Sequence, residues 1–160
     1  MTHTLKPYTR PVVLAAMAAT LAGGPSLALT QAVGAPDLQA NKAAVVAFYN
    51  EALNDKNPTG ALQYLGPRYI QHNPNAENGP EGFVKYITFI RDHFPRSHSE
   101  IMAVFAEGDF VILHVRTRRE PDQRGNAIAE FFRLENGEIV EHWDVIQPIP
   151  DTDLNGHGMF

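Results

Sequence analysis

The chain has 160 residues, of which 44% are hydrophobic and 19% charged, a balance typical of a folded globular protein and not of a disordered one. Its net charge of −5 and pI near 5.7 provide no basic surface for polyanions, so we expect no nucleic-acid partner. The absence of cysteine excludes thiol catalysis, disulfides and cysteine-ligated metal centres.

The N-terminal segment is typical of a secretory signal peptide over residues 1–32. A short basic region precedes an apolar stretch over residues 12–22, and the small residues Ala28 and Ala32 are candidate cleavage sites. A membrane anchor is the less favoured alternative, because a bilayer span needs roughly 20 apolar residues. We therefore expect a periplasmic or secreted protein with no stable membrane insertion after cleavage.

Three helical segments follow. Asn41 is a candidate cap for a helix whose apolar residues recur at helical spacing as far as Leu53. Asn57-Pro58 begins a second, short helix through Leu65, and Gly66-Pro67 ends it. Gly79-Pro80 opens a third helix, which Pro95 stops.

Between the second and third helices, residues 69–74 are a short extended piece, because Pro74 disfavours a helical residue before it. After Pro95 the period changes to that of strands. The patterns predict four further strands, over residues 99–106, 110–119, 127–134 and 139–148. Helices followed by antiparallel strands indicate an α+β domain over residues 37–150, with helices on one face of a bent sheet and a pocket between them. The tail, residues 151–160, has no predicted element.

Polar residues interrupt the apolar strands at four positions. These are His114, Glu130, His142 and Asp144. A buried carboxylate is costly unless it is paired, protonated or used in chemistry. His142 and Asp144 are two residues apart, so they share one face of the sheet.

Whether Glu130 joins that face depends on the turn at Asn136-Gly137. A two-residue turn pairs Glu135 with Glu138 and leaves Glu130 on the opposite face. A three-residue turn with a glycine bulge pairs Leu134 with Glu138 instead. We favour the second register, because it places the polar residues on one face together with Val140 and pairs Arg133 with Glu141 on the other. The residues expected on the shared face are Ile128, Glu130, Phe132, Val140, His142, Asp144 and Ile146.

Two segments resemble the SnoaL-like polyketide cyclase family of the nuclear transport factor 2-like superfamily. One is Tyr-Ile-Gln-His-Asn-Pro at residues 69–74, and the other runs from Glu130 to Gln147 and contains Glu-His-Trp-Asp. The resemblance covers residues 40–160. It implies a cone-shaped α+β barrel, with about three N-terminal helices on a strongly curved antiparallel or mixed sheet, and a homodimer formed through the sheet's outer face.

The resemblance also implies a chemistry, intramolecular aldol condensation without metal or cofactor. Asp144 would be the base that removes an acidic C–H proton, and His114 and His142 would donate to the developing enolate oxygen. His72 and Asn73 would reach into the mouth of the pocket. Glu130 stands where relatives carry aspartate, so its role is open.

Physical chemistry supports the assignment of Asp144 as the base. A base that works at neutral pH needs a raised pKa, which burial beside a second carboxylate provides. Substrate contacts are expected from aromatic and polar residues of the pocket, namely Tyr69, Asn73, Phe83, Phe110 and Phe132.

Three other interpretations stay open. The same cone could hold a small apolar ligand without chemistry, since one scaffold hosts many functions. Two histidines, His114 and His142, with a carboxylate could instead hold a metal ion, although no spaced ligand motif supports this and we expect no metal or cofactor. Structurally, Asp144 could simply be a salt-bridged buried residue, while Trp143 is more typical of the outer layer or a dimer face.

Overall fold

The structure is a computed structural model that describes residues 36–160. The predicted signal peptide and its cleavage sites lie outside the described residues. Among the residues described, no helix combines the length and the apolar character needed to cross a membrane.

The first helix, α1, spans Leu38–Tyr49 and continues as a π-helical turn over Asn50–Asn54. It begins at Asp37, whose carboxylate accepts hydrogen bonds from the backbone N–H groups of Gln39 and Ala40, both at 3.0 Å. The prediction that Asn41 caps this helix is therefore wrong. A carboxylate four residues earlier already satisfies the free N–H groups, and Asn41 is buried inside the helix.

The second helix, α2, is short and spans Pro58–Ala61. Asn57 is its cap, accepting a 3.0 Å hydrogen bond from the backbone N–H of Gly60, and the helix begins at Asn57-Pro58 as predicted. A 3-10 turn over Leu62–Tyr64 follows, and strand β1 spans Leu65–Gln71. Leu65 and the Gly-Pro pair after it thus begin a strand instead of ending a helix. Proline is tolerated there because β1 is an edge strand.

The third helix, α3, spans Gly79–His93. Proline in its first turn removes no hydrogen bond, since the first N–H groups of a helix have no partner within it. Its apolar face buries Phe83, Ile87 and Ile90. These side chains pack toward the sheet, so α3 forms one wall of the space between the layers.

The sheet is mixed and has five strands. After β1 come β2 (His98–Glu107), β3 (Phe110–Arg118), β4 (Asn126–Glu135) and β5 (Glu138–Pro148). Their order across the sheet is β1-β5-β4-β3-β2, with β1 parallel to β5 and all other pairs antiparallel. Three helices on one face of a curved, unclosed sheet confirm the predicted α+β class.

The hydrophobic core lies between the helices and the inner face of the sheet. Inward-facing residues of β3 and β4 meet α1 and α3 there, and Phe48 packs edge-on against Phe132 at 5.9 Å between ring centroids. Along β3, every second residue is fully buried: Val111, Leu113 and Val115. This alternation fixes which side chains of each strand face inward.

The β4–β5 hairpin differs from its prediction at the turn and agrees with it at the site. Glu135 pairs with Glu138, so the turn has two residues, and both of them, Asn136 and Gly137, have positive φ. The extra residue is Val140, which has no partner in β4 and bulges. The predicted pairing of Leu134 with Glu138 is therefore wrong.

The bulge nevertheless restores the predicted face. Beyond it, Glu130 pairs with Asp144, Phe132 with His142, and Arg133 with Glu141. At the turn itself, Ile139 occupies the core position that was predicted for Val140.

Candidate active site

A cavity of about 700 Å³, measured with its open mouth, lies between the helices and the inner face of the sheet. Its walls are mostly aromatic and aliphatic, and its polar groups come from or next to α1, α3 and the strands β1, β3, β4 and β5. The polar lining residues that matter below are Tyr49, Tyr69, Gln71, Asn73, Glu130, His142 and Asp144.

Glu130 and His142 form a buried pair at the closed end of the cavity. Oε2 of Glu130 lies 2.7 Å from Nε2 of His142, and both side chains are at most 10% exposed. The other carboxylate oxygen accepts a 2.8 Å hydrogen bond from the hydroxyl of Tyr49. Burial, together with the charge of Glu130, raises the pKa of Tyr49 well above its ordinary value, so the phenol stays protonated and donates.

The partner of the second ring nitrogen of His142 shows that this nitrogen carries a hydrogen. Nδ1 is 2.9 Å from Oε1 of Gln71. The same oxygen accepts a 2.8 Å bond from the backbone N–H of Asn73. Because a backbone N–H can only donate, this Gln71 atom must be the carbonyl oxygen, and His142 Nδ1 must therefore carry a hydrogen.

One proton is then shared between His142 Nε2 and Glu130. Either the imidazolium faces a carboxylate, or a neutral imidazole faces a carboxylic acid. The pair is electrically neutral in both cases, which explains how a carboxyl group is accommodated in a buried site.

The amide of Gln71 carries the chain of hydrogen bonds to the cavity. Its Nε2 donates to the hydroxyl oxygen of Tyr69 at 3.1 Å. Within residues 36–160 the hydroxyl hydrogen of Tyr69 has no acceptor of its own. Burial raises the pKa of Tyr69, and the charge of Glu130 adds to this, so the hydroxyl is a donor for a cavity ligand.

Asp144 is the more accessible of the two acids of the site. It is half-buried, and its Oδ2 accepts a hydrogen bond from Nδ2 of Asn73. The orientation of that amide is fixed, because its Oδ1 accepts a 2.8 Å bond from the backbone N–H of Asn75. Burial and the nearby charge of Glu130 raise the pKa of Asp144, outweighing the opposing effects of Asn73 and His142.

The arrangement brings an acid, a base and a free donor together. One ligand atom each of Glu130, His142 and Asp144 lies within 4.8 Å of the others. Such a set could in principle hold a metal ion, but the contact between His142 and Glu130 is already made through a shared proton. The geometry is that of an acid–base site facing an apolar cavity.

His72 lies elsewhere. Tyr69, Gln71 and Asn73 alternate toward the cavity, so His72 points to the outer face, where its Nε2 is 2.9 Å from Oε1 of Glu141. Its ring stacks on Trp143 at 4.6 Å. The expectation that His72 reaches into the pocket is corrected, because the alternation along β1 turns it away.

His114 and Phe110 also lie on the outer face. Leu113 pairs with Glu130 and shares its inward direction, so His114 points outward. There its ring stacks on Phe160 of the C-terminal tail at 5.0 Å. Phe110 pairs with Arg133 and is 41% exposed. A polar residue in an apolar strand therefore does not by itself indicate a site residue. The alternation along the strand decides whether its side chain faces the cavity.

Two residues of the site were not predicted. Tyr49 follows the apolar spacing of the first helix, although a tyrosine on a buried helix face needs a partner for its hydroxyl. Gln71 enters the sequence analysis only as part of the Tyr-Ile-Gln-His-Asn-Pro segment. The signal for Gln71 was its spacing, since Tyr69, Gln71 and Asn73 repeat the period-2 pattern of His142 and Asp144 on a neighbouring strand.

Removing the Tyr49 hydroxyl should destabilise the fold. Tyr49→Phe leaves one oxygen of a buried carboxyl without its donor, and a hydrogen bond to a charged group contributes about 1.5–3 kcal/mol. We expect the free energy of unfolding, measured by urea denaturation, to fall by about that amount. Tyr64→Phe is the control, because Tyr64 packs against the core away from the cavity. Equal effects in the two variants would contradict the assignment.

Comparison with known proteins gives one family. The model of the SnoaL-like domain matches residues 45–142, which is more than half of the chain. A search of curated proteins finds no match.

Solved structures share the fold at low identity. A SnoaL-like protein of unknown function from Burkholderia thailandensis is 19% identical, with a TM-score of 0.60 over 70% of this chain and 98% of that one. A candidate polyketide cyclase from Acidithiobacillus ferrooxidans is 20% identical, with a TM-score of 0.57 over 67% and 87% of the two chains. An NTF2-like protein of unknown function from Cytophaga hutchinsonii is 21% identical, with a TM-score of 0.56 over 68% and 90%.

Proposed function

The chain belongs to the SnoaL-like domain family, and on that premise we propose that it is a cofactor-independent acid–base enzyme acting on a small carbonyl compound. The reaction begins with enolisation and continues as intramolecular aldol condensation, or as a related isomerisation or dehydration. The observation that carries the proposal is the pairing of a half-buried carboxylate with a free phenol donor in one apolar cavity.

Asp144 is the base. Its ionised carboxylate takes a proton from the carbon next to the substrate carbonyl, and the C–H electron pair moves toward the carbonyl oxygen to give an enolate. A raised pKa makes the carboxylate a stronger base than an exposed aspartate. Asn73 holds the group by one oxygen, which leaves the other for the substrate.

Tyr69 stabilises the enolate oxygen. Its hydroxyl donates into the cavity, while its own oxygen accepts from Gln71. The donors run in one direction, from His142 Nδ1 through Gln71 to Tyr69. Negative charge at the substrate oxygen therefore strengthens each hydrogen bond of the chain in turn.

This assignment changes the expected role of His142. Both of its nitrogens are occupied, by Gln71 and by Glu130, so it acts on the substrate through the chain and not by direct donation. Glu130 holds the imidazole in place and shares its proton. Both are positioning residues for Tyr69.

The aldol step balances within the site. The enolate carbon attacks a second carbonyl of the same molecule, forming a C–C bond and an alkoxide. The alkoxide takes back the proton that Asp144 accepted, so no net proton is consumed. Loss of water gives the dehydrated product.

Proton exchange tests the proposal directly. In D₂O the protein should accelerate deuterium incorporation at the central carbon of 1-phenylbutane-1,3-dione above the buffer background, as followed by NMR. The rate should increase with pH through a pKa above 3.8, the ordinary value for aspartate, because the base must be ionised to act. Absence of exchange with saturable binding of the dione would favour the alternative, a non-catalytic binding protein for small apolar ligands.

Two further properties are proposed. Homodimerisation through the outer face of the sheet is supported by exposed apolar residues there, including Val145 at 64% and Phe110 at 41%. Size-exclusion chromatography tests it. Export to the periplasm or medium, supported by the N-terminal sequence pattern, is tested by fractionation and N-terminal sequencing of the mature protein.

A further inference from the structure

Arg119 stands at the mouth of the cavity. It follows β3 directly and lines both the cavity and a shallow groove that adjoins it. The two spaces share Asn73, Ala76, Tyr86 and Ile146, so these residues with Arg119 form the rim between cavity and solvent.

The guanidinium of Arg119 is held in place without a carboxylate. One of its nitrogens donates to the hydroxyl of Tyr86 at 3.3 Å, and its centre lies 5.1 Å from the ring centroid of Phe94. Within the described part of the chain it forms no ion pair, whereas Arg91, Arg96, Arg124 and Arg133 all do. A half-buried guanidinium with free donors is suited to an anion supplied from outside.

Arg119 itself lies at a distance from Glu130, whereas Asn73 of the same rim is hydrogen-bonded to Asp144. Along the β4–β5 ladder, Glu130 pairs with Asp144, the next inward pair is Ile128 with Ile146, and Asn126 forms the last. Glu130 is four residues from Asn126 along β4, so at about 3.4 Å per residue their Cα atoms are about 14 Å apart. Asn126 pairs with Thr117, two residues before Arg119, which places the cation toward that end.

The charges along the cavity are therefore segregated. Glu130 and Asp144 face each other within the β4–β5 ladder, Ile128 and Ile146 follow, and the end of the cavity that contains Arg119 holds a cation with the hydroxyl of Tyr86 beside it. Since Tyr86 accepts from Arg119, its own hydrogen is free to donate. An anionic group entering this cavity is repelled by the ionised carboxylate of Asp144 and attracted by the guanidinium of Arg119.

We propose that Arg119 binds a carboxylate of the substrate, so that the substrate is a carbonyl compound with an apolar body and a carboxylate at the end remote from the reacting carbon. The identity of the reacting end rests on the proposed function. The contact with the carboxylate is measurable by binding alone. A planar guanidinium favours a carboxylate because it pairs with both oxygens.

Calorimetric binding of a matched pair of probes tests this. The probes are 4-(3-oxobutanoyl)benzoate and its methyl ester, which differ only in the charge at the remote end. The wild-type protein should bind the carboxylate about tenfold to a hundredfold more tightly than the ester at low ionic strength. Arg119→Gln should remove most of this preference, and Arg119→Lys, which keeps the charge, should retain part of it.

Arg118→Gln is the matched control. Arg118 ends β3 next to Arg119, is also half-buried, and does not line the cavity, so the preference should be unchanged in this variant. A wild-type protein without preference for the carboxylate, or an equal loss of affinity for both probes in Arg119→Gln, would overturn the inference.

Deuterium exchange on the same probes separates this inference from the proposed function. A carboxylate preference that depends on Arg119, without exchange, would support the subsite and refute the enzyme. Deuterium exchange without a preference for the carboxylate probe would support the enzyme and refute the subsite.

Discussion

Asp144→Asn should lower the rate of enzyme-dependent deuterium exchange by about a thousandfold, within the range of 10² to 10⁴ that general-base catalysis contributes. The amide cannot accept a proton at neutral pH, while its size and its contact with Asn73 are nearly preserved. The measurement is the exchange rate of 1-phenylbutane-1,3-dione at saturating concentration, compared with binding of the same compound. We expect the rate to fall and the affinity to change little, since the carboxylate acts on the reacting proton and not on the apolar body.

The folded protein should not lose stability in this variant. Burial raises the pKa of Asp144, so the folded state binds this proton more tightly than the unfolded state. Its contribution therefore favours folding below the unfolded pKa and is lost as pH rises through the folded value. At neutral pH the charged carboxyl disfavours the fold, and asparagine removes that penalty.

Asp122→Asn is the control, because Asp122 is exposed in the loop between β3 and β4. It should leave both the exchange rate and the melting temperature unchanged. If Asp144→Asn keeps the wild-type rate, Asp144 is not the base. If it instead unfolds the protein, Asp144 is a structural residue.

Tyr69→Phe should lower the exchange rate by about 10² to 10³, the range measured when one donor to a developing oxyanion is removed. The phenyl ring retains the packing of Tyr69 against Phe83, whose ring centroid lies 6.2 Å away. Only the hydroxyl is lost, together with the 3.1 Å hydrogen bond that it accepts from Gln71. The measurement is again exchange at saturating dione concentration.

The pH dependence distinguishes this effect from a change in the base. Because Asp144 still removes the proton, the acid side of the pH–rate profile should stay above the ordinary pKa of aspartate while the plateau falls. Gln71→Leu should also lower the plateau, since it removes the donor to Tyr69 together with the acceptor for His142 Nδ1 and for the backbone N–H of Asn73. A wild-type rate in Tyr69→Phe would remove the phenol from the mechanism.

Much of the fold follows from local patterns. Breaks at glycine and proline delimit α3, and α2 begins at Asn57-Pro58 as predicted. The period-2 alternation of β4 and β5 places Glu130, His142 and Asp144 on one face. These features depend on neighbours in sequence, which is why the sequence is informative about them.

The partners of each polar group are less predictable. The hydroxyl that donates to Glu130 comes from Tyr49, 81 residues earlier in the chain. The position of the hydrogen on His142 follows from the amide of Gln71 on β1. This strand pairs with β5 in parallel, and a parallel pair has no hairpin turn that the sequence would reveal. His72 and His114 lie on the outer face and not in the cavity, because position in the strand, and not residue type, decides which face a side chain occupies.

The bulge at Val140 has a genetic consequence. Between the Asn136-Gly137 turn and the acid–base pairs, this one unpaired residue is the only one of the strand that β4 does not pair. Loss of its codon would bring Ile139 directly before Glu141, so the ladder would become regular and His142 and Asp144 would keep their partners and their face. A one-residue insertion between the bulge and His142 would act differently, because a ladder that continued without a second bulge would turn His142 and Asp144 away from the cavity. The bulge is therefore a position at which the strand can lose one residue and keep its chemistry.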